Sequence, residues 1–207
     1  MNDSLISQIP NVFSEDLCKD IIKKFDEDSR KQRGYLVQYN RNIVDTELKN
    51  STELFISSYD DWSNINTRIA ESITECVNIY LEELLEYLTI KTNLKDAQRN
   101  VSCISNGMFD RGYVISKIDQ GNGYPWHNDS VATKDTPSGY RGLLSIITYL
   151  NTITEGGETK FIDGFVAKPE AGKSLVLPAT WNTIHTGSTV LTNESKYICV
   201  TLIFSKS

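Results

Sequence analysis

The chain holds two histidines among 207 residues, so each can be weighed singly. His127 lies in Trp126-His127-Asn128-Asp129, an H-x-D triplet inside a run that reads as a strand. Residues two apart on a strand leave the same face about 7 Å apart, so their side chains can converge on one small ion. His185 stands far downstream at the end of another predicted strand, from which it would face His127 across the interior of a closed barrel. Two imidazoles and one carboxylate on one side of Fe(II) leave coordination positions open for a cosubstrate and O2. H-x-D alone is a common strand triplet, and its weight comes from what surrounds it. Lys196 opens the apolar run Tyr197-Ile198-Cys199-Val200-Thr201-Leu202, where an ammonium is unfavourable unless an anion meets it.

The elements that must position these groups divide into a helical first half and a strand-rich second half. Ser14-Glu15-Asp16 supplies a helix cap with an acidic first turn, and Leu17, Cys18, Ile21, Ile22 and Phe25 predict an amphipathic helix over 14–28. A second helix over 62–89 follows from Ile65, Ile69, Ile73, Val77, Tyr80, Leu84 and Leu88, and should cover one side of a sheet. Residues 34–39 read as a short strand, and 40–61, rich in Asn, Asp, Ser and Thr, as loop. Beyond about residue 100, apolar runs broken by Gly, Pro and Asn predict strands at 111–118, 124–129, 142–150, 158–162, 165–168, 173–178, 182–186 and 196–205. The expected fold class is α+β: a double-stranded β-helix (jelly-roll) barrel with N-terminal helices packed on one side. We expect one domain over 1–207, in which mainly helical 1–100 supports a jelly-roll core at 101–207.

A formal charge of −6 argues against a nucleic-acid or anionic-membrane partner, since both are gripped by excess positive charge. The opening residues lack the pattern of a secretory signal, no apolar run is long enough to span a bilayer, and the four scattered cysteines read as reduced, buried thiols. The expected location is cytoplasmic. Gly172-Lys173-Ser174 mimics the end of a phosphate-binding loop, but Ala167 stands where its earlier glycine is needed.

The ordered set resembles a known family. Gly121-x-x-Tyr124-x-x-His127-x-Asp129, Arg141 before the run 143–151, Gly156-Gly157-Glu158-Thr159-Lys160-Phe161, Pro169-x-x-Gly172, His185-Thr186-Gly187 and Lys196-Tyr197 are similar to the prolyl 4-hydroxylase branch of the 2-oxoglutarate/Fe(II) dioxygenases. The likeness runs over about 110–205. It implies that His127, Asp129 and His185 hold Fe(II), that Lys196 pairs with the distal carboxylate of 2-oxoglutarate, and that Thr148 and Thr159 line the cosubstrate pocket. It also implies substrate contacts at Tyr124 and Arg141, O2 as cosubstrate, and ascorbate as a candidate reductant for oxidised iron. The implied reaction is hydroxylation of an unactivated C–H bond, at C4 of a proline in a peptide or protein partner, with release of succinate and CO2. The chain departs from the family where a tyrosine often precedes the first ligand, since Lys117 and Ile118 stand there, and where peptidyl-proline hydroxylases often carry tryptophan, since Leu202 stands there. Two other readings therefore stay open: the same chemistry on a free amino acid or other small molecule, and a non-catalytic metal-binding jelly-roll module. The loop Ser130–Tyr140 and the segment 40–61 are expected to flank the substrate groove.

Overall fold

The computed structural model describes residues 1, 3–38, 41–130 and 140–206. Most of the expected loop Ser130–Tyr140, residues 131–139, lies outside the described residues. Strand β1 (Ser7–Ile9) leads through Pro10 into helix α1 (Glu15–Glu27). Ser14 caps that helix, its Oγ accepting from the Leu17 N–H at 3.2 Å, while Glu15 and Asp16 meet the positive end of the helix dipole. Leu17, Cys18, Ile21 and Phe25 fall on its buried face, as the spacing requires.

Strands β2 (Gln32–Arg33), β3 (Leu36–Gln38), β4 (Arg41–Ile43) and β5 (Thr52–Phe55) come next. The expectation of loop over 40–61 is corrected here, because β4 pairs antiparallel with β3 and β5 joins a sheet. Four residues such as Thr52-Glu53-Leu54-Phe55 carry too little periodicity to announce a strand; the pairing partner selects the conformation.

Helix α2 (Ser63–Lys91) buries Ile69, Ile73, Cys76, Val77, Tyr80 and Leu84. Helix α3 (Leu94–Ser105), which the apolar pattern does not single out, carries the helical region past residue 100. Only Ala97 of α3 is buried, so the stripe that would reveal it is too thin, but Asn93 caps it by accepting from the Asp96 N–H at 3.0 Å.

The remaining strands are β6 (Phe109–Asp110), β7 (Val114–Ile118), β8 (Tyr124–His127), β9 (Tyr140–Tyr149) and β10 (Thr159–Phe161). They continue with β11 (Val166–Ala167), β12 (Ser174–Pro178), β13 (His185–Gly187) and β14 (Lys196–Lys206). Each of the eight expected strands is present within a few residues. One sheet runs β1-β12-β9-β14-β7-β5-β2, with β6 against β14, and the other runs β11-β10-β13-β8. The architecture is the expected helix-backed jelly roll, but its two sheets are not closed into a barrel.

Strand β9 is buried on both faces over most of its length, which explains why 143–150 reads as a continuous apolar run rather than an alternating one. Leu144, Ile146, Val176 and Cys199 pack with Phe25, Ile69 and Ile73 of the helices. The opposite face sends Ile147, Tyr149, Leu175 and Leu177 against Phe161 and Ala167 of the smaller sheet. Three cysteines are buried as expected, whereas Cys103 is exposed on the thinly buried α3. No helix among the described residues is long and apolar enough to cross a membrane.

Gly172 ties the N-terminal segment to this frame. Its carbonyl accepts from the Phe13 N–H at 3.1 Å, its N–H donates to Tyr149 at 2.8 Å, and its φ is +79°. A Cβ there would lie 2.3 Å from the Phe13 carbonyl oxygen. Gly172→Ala is expected to lower stability by about 1–3 kcal/mol, measured by denaturant unfolding.

Candidate metal centre and its cavity

His127 ends β8, and its register partner is His185, the first residue of β13. The two rings therefore meet as neighbours within one sheet, with centroids 4.2 Å apart, and not across a barrel interior as the sequence analysis expects. Register rather than closure brings them together.

Asp129 completes the group. Its Oδ1 lies 3.6 Å from Nε2 of His127 and its Oδ2 lies 3.7 Å from Nε2 of His185. One ligand atom from each of the three residues falls within 4.8 Å of the others. Each Nδ1 is committed to a backbone carbonyl, Pro125 at 2.8 Å for His127 and Thr183 at 3.2 Å for His185. A carbonyl only accepts, so each Nδ1 carries the hydrogen and each Nε2 turns a lone pair towards Asp129. Burial, reinforced by the nearby His185, lowers the His127 pKa to about 4, so the ring stays neutral and able to ligate. Two imidazoles and a carboxylate, with no thiolate among them, suit Fe(II) better than a closed structural zinc site.

Lys196 is the other group that calls for an explanation. It is 5% exposed at the head of β14, and its Nζ donates to the Gly157 carbonyl at 2.6 Å. Burial lowers its pKa to about 8. Its acceptor comes from the turn Gly156-Gly157, where φ is +74° and +70° and a Cβ on Gly156 would lie 2.1 Å from the Thr189 carbonyl oxygen. Thr159 lies nearby, its Oγ1 accepting from the Tyr149 hydroxyl at 2.8 Å, and Nζ of Lys196 stands 5.3 Å from the centre of the Tyr149 ring.

A cavity of about 520 Å³ joins these parts. Its lining includes His127, Asp129, His185, Lys196, Thr159 and Tyr124, with Ile147, Ile198 and Val200 as an apolar floor. The Tyr124 ring lies 3.9 Å from the His127 ring, centroid to centroid.

Two expectations are corrected. Thr148 is buried away from the cavity, with its Oγ1 2.7 Å from Oγ of Ser174. Its register partner is Cys199, on the helix-facing side, and the cavity face belongs to its neighbours Ile147 and Tyr149. Arg141 is exposed near the start of β9 and does not line the cavity. Sequence reasoning missed Tyr149, which strand alternation from Ile147 would have found. It also missed Lys49, Glu53 and Ser116, which line the cavity from the segment read as loop and from its partner strand.

No protein-family model and no curated protein sequence matches the chain. Solved structures do. The chain is similar to a viral collagen prolyl hydroxylase of Paramecium bursaria Chlorella virus-1 in complex with 2-oxoglutarate, with TM-score 0.62 and 16% identity over 98% of this chain and 97% of that one. It is also similar to a Trichoplax adhaerens prolyl hydroxylase in complex with a peptide fragment of hypoxia inducible factor, with TM-score 0.65 and 13% identity over 99% and 85%. A third likeness is to the non-haem α-ketoglutarate-dependent epimerase SnoN of nogalamycin biosynthesis, with TM-score 0.59 and 11% identity over 98% and 79%. The fold is thus that of the 2-oxoglutarate/Fe(II) oxygenases of the prolyl hydroxylase type.

Asp129→Ala removes the one carboxylate from the ligand set. Titration with Fe(II) under anaerobic conditions, or with Co(II) read by its visible absorption, should show affinity falling by more than the roughly 10–100-fold that loss of an outer-shell partner costs. Circular dichroism should show the fold unchanged.

Proposed function

We propose that the chain is a 2-oxoglutarate- and Fe(II)-dependent dioxygenase that hydroxylates an unactivated C–H bond. One observation carries this reading: the three-residue ligand set and a buried ammonium share a single cavity. A structural metal site would need the first and gain nothing from the second, whose burial is unfavourable without an anion. His127 and His185 would hold the metal through Nε2, and Asp129 through its carboxylate. With Fe(II) and 2-oxoglutarate bound, the chemistry supplied is oxidation by O2, in which the cosubstrate is converted to succinate and CO2 and one oxygen atom enters the substrate C–H bond.

The protein's own part is positional. Lys196 would meet the far carboxylate of the cosubstrate as a point charge, and the Thr159 hydroxyl would donate to it while accepting from Tyr149. Backbone carbonyls of Pro125 and Thr183 hold the imidazoles in the ligating tautomer. Ile147, Ile198 and Val200 keep water from that end of the cavity. Tyr124 is placed to contact the substrate beside the metal. Residues 1–207 would act as one dioxygenase domain.

For the substrate, we propose C4 of a peptidyl proline, a reading supported by likeness to the collagen prolyl hydroxylase and to the peptide-bound Trichoplax enzyme. A second reading, a free amino acid or other small molecule, is favoured by the charged pair Lys49–Glu53 on the cavity wall. Purified protein supplied with Fe(II), 2-oxoglutarate and ascorbate should release succinate and add the mass of one oxygen atom to proline-containing peptides or to a free amino acid. Metal binding with no succinate from any substrate would favour the non-catalytic module.

The Lys196 pKa of about 8 sets a pH dependence. The ammonium binds the dicarboxylate, so affinity is complete below about pH 8. Above it, 2-oxoglutarate affinity should fall by about tenfold per pH unit. Calorimetric titration between pH 7 and 10 checks this, and Lys196→Met should bind weakly throughout with no inflection near 8.

A further inference from the structure

The inner face of the larger sheet changes character across its width. Over β9 and β14 it is apolar, with Ile147, Ile198 and Val200. Over β7 polar Ser116 stands between apolar Val114 and Ile118, and beside it Glu53 of β5 and the preceding Ser51 also line the cavity. Among the described lining residues Glu53 is the only carboxylate besides the candidate ligand Asp129. It is 7% exposed, which asks for complete pairing.

That pairing is one-sided. Lys49 Nζ at 2.8 Å, Ser51 Oγ at 3.0 Å and Ser116 Oγ at 3.2 Å all converge on Oε1 of Glu53. Oε2 has no partner among the described residues and is not among the sealed, unsatisfied atoms, and Glu53 itself lines the cavity. Lys49 also donates to the Tyr35 carbonyl at 3.2 Å and lies 5.0 Å from the centre of the Tyr124 ring. These contacts hold its Nζ beside Oε1, where it orients the carboxylate. Gly34 leaves room for this packing, since a Cβ there would lie 2.1 Å from Ser51 Oγ and 2.9 Å from Glu53 Oε1. Tyr124 neighbours both the pair and the metal centre, its ring centre lying 5.0 Å from Lys49 Nζ and 3.9 Å from the centre of the His127 ring.

We infer that Glu53 is a specificity-determining residue whose Oε2 accepts a hydrogen bond from a protonated amine of the substrate, so that the cavity takes a free amino acid. This rests on the oxygenase reading above and, within it, selects the second substrate class. A proline inside a peptide has no hydrogen on its nitrogen and would leave Oε2 unpaired, whereas the free imino acid presents an ammonium with two hydrogens. A buried carboxylate oxygen left without a donor disfavours the ligand that cannot supply one.

The test compares free L-amino acids that have no second cationic group with their N-acetyl forms, starting with proline and N-acetylproline. Binding is read by tryptophan fluorescence, since Trp126 lines the cavity, on protein loaded with Mn(II) and 2-oxoglutarate and again on protein without either. At least one free amino acid should bind roughly 10- to 100-fold more tightly than its acetylated form, and Glu53→Gln should bring that ratio close to one. General loosening of the fold would weaken both forms alike and leave the ratio, and Glu53→Asp should restore part of it. Equal binding of the two forms, no binding of any free amino acid, or a ratio that survives Glu53→Gln would each overturn the inference. Failure of the oxygenase reading shows separately, as absence of Mn(II) or 2-oxoglutarate uptake, while the amine preference is still read on the unloaded protein.

Discussion

The register of β13 on β8 is the constraint on which the centre depends. His185 is paired opposite His127, and a slip of one residue would turn His185 to the outer face of its sheet, far from Asp129. Several contacts pin that register. On its other side β13 pairs with β10 so that His185 faces Phe161, a buried residue whose ring centroid lies 5.4 Å from that of the imidazole. The Thr186 hydroxyl donates to the Tyr124 carbonyl at 2.6 Å. Between His185 and Gly187 the ladder shifts, and the backbones approach so closely there that a Cβ on Gly123 would lie 2.6 Å from the Gly187 carbonyl oxygen. The glycines permit an irregular ladder that still leaves both imidazoles on the inner face.

Lys196 depends on the same economy of backbone groups. It enters the most central strand of the larger sheet, where β9 and β7 flank β14 and leave no water to solvate an ammonium. The Gly157 carbonyl, offered by a turn of two left-handed glycines, satisfies one of its three hydrogens. Two remain for a ligand. The desolvation that depresses its pKa is the same term that would make a bound carboxylate favourable, because opposite charges attract more strongly where water is excluded. The ligand set and the lysine are thus held by separate sheets, whose facing surfaces enclose the cavity between them.

How much of this was legible in the sequence follows from which elements carry their own signal. Helices α1 and α2 bury wide apolar stripes, and the strands of the core bury residues on one or both faces, so their periods are readable and their order fixes the jelly roll. Scarcity makes the two histidines conspicuous, while Asp129 stands out through the H-x-D triplet and Lys196 through the apolar run that it opens. Closure was over-read: strands that succeed one another do not reveal whether the last hydrogen-bond ladder forms, and here the sheets stay open. Thr148 was placed on the wrong face because the run 143–150 is apolar on both sides, so composition no longer marks parity. Glu53 is hidden in the sequence because β5 owes its conformation to pairing with β7, a contact between residues about sixty positions apart.

The division between a readable centre and an unreadable wall also says where specificity resides. The same fold is found in hydroxylases and in an epimerase, so the ligand-bearing strands do not decide what is bound or what becomes of it. That decision falls to surfaces around them. In this chain a polar group within reach of the centre is formed by Glu53 of β5, Ser116 of β7, Ser51 and Lys49, with the Tyr124 ring near both Lys49 and His127. A carboxylate held there on one oxygen by three donors, with its other oxygen lacking a partner among the described residues, is already oriented before a ligand arrives. Little ordering remains to oppose binding, so a single hydrogen bond at that oxygen can separate substrates that differ only in whether their nitrogen carries a hydrogen.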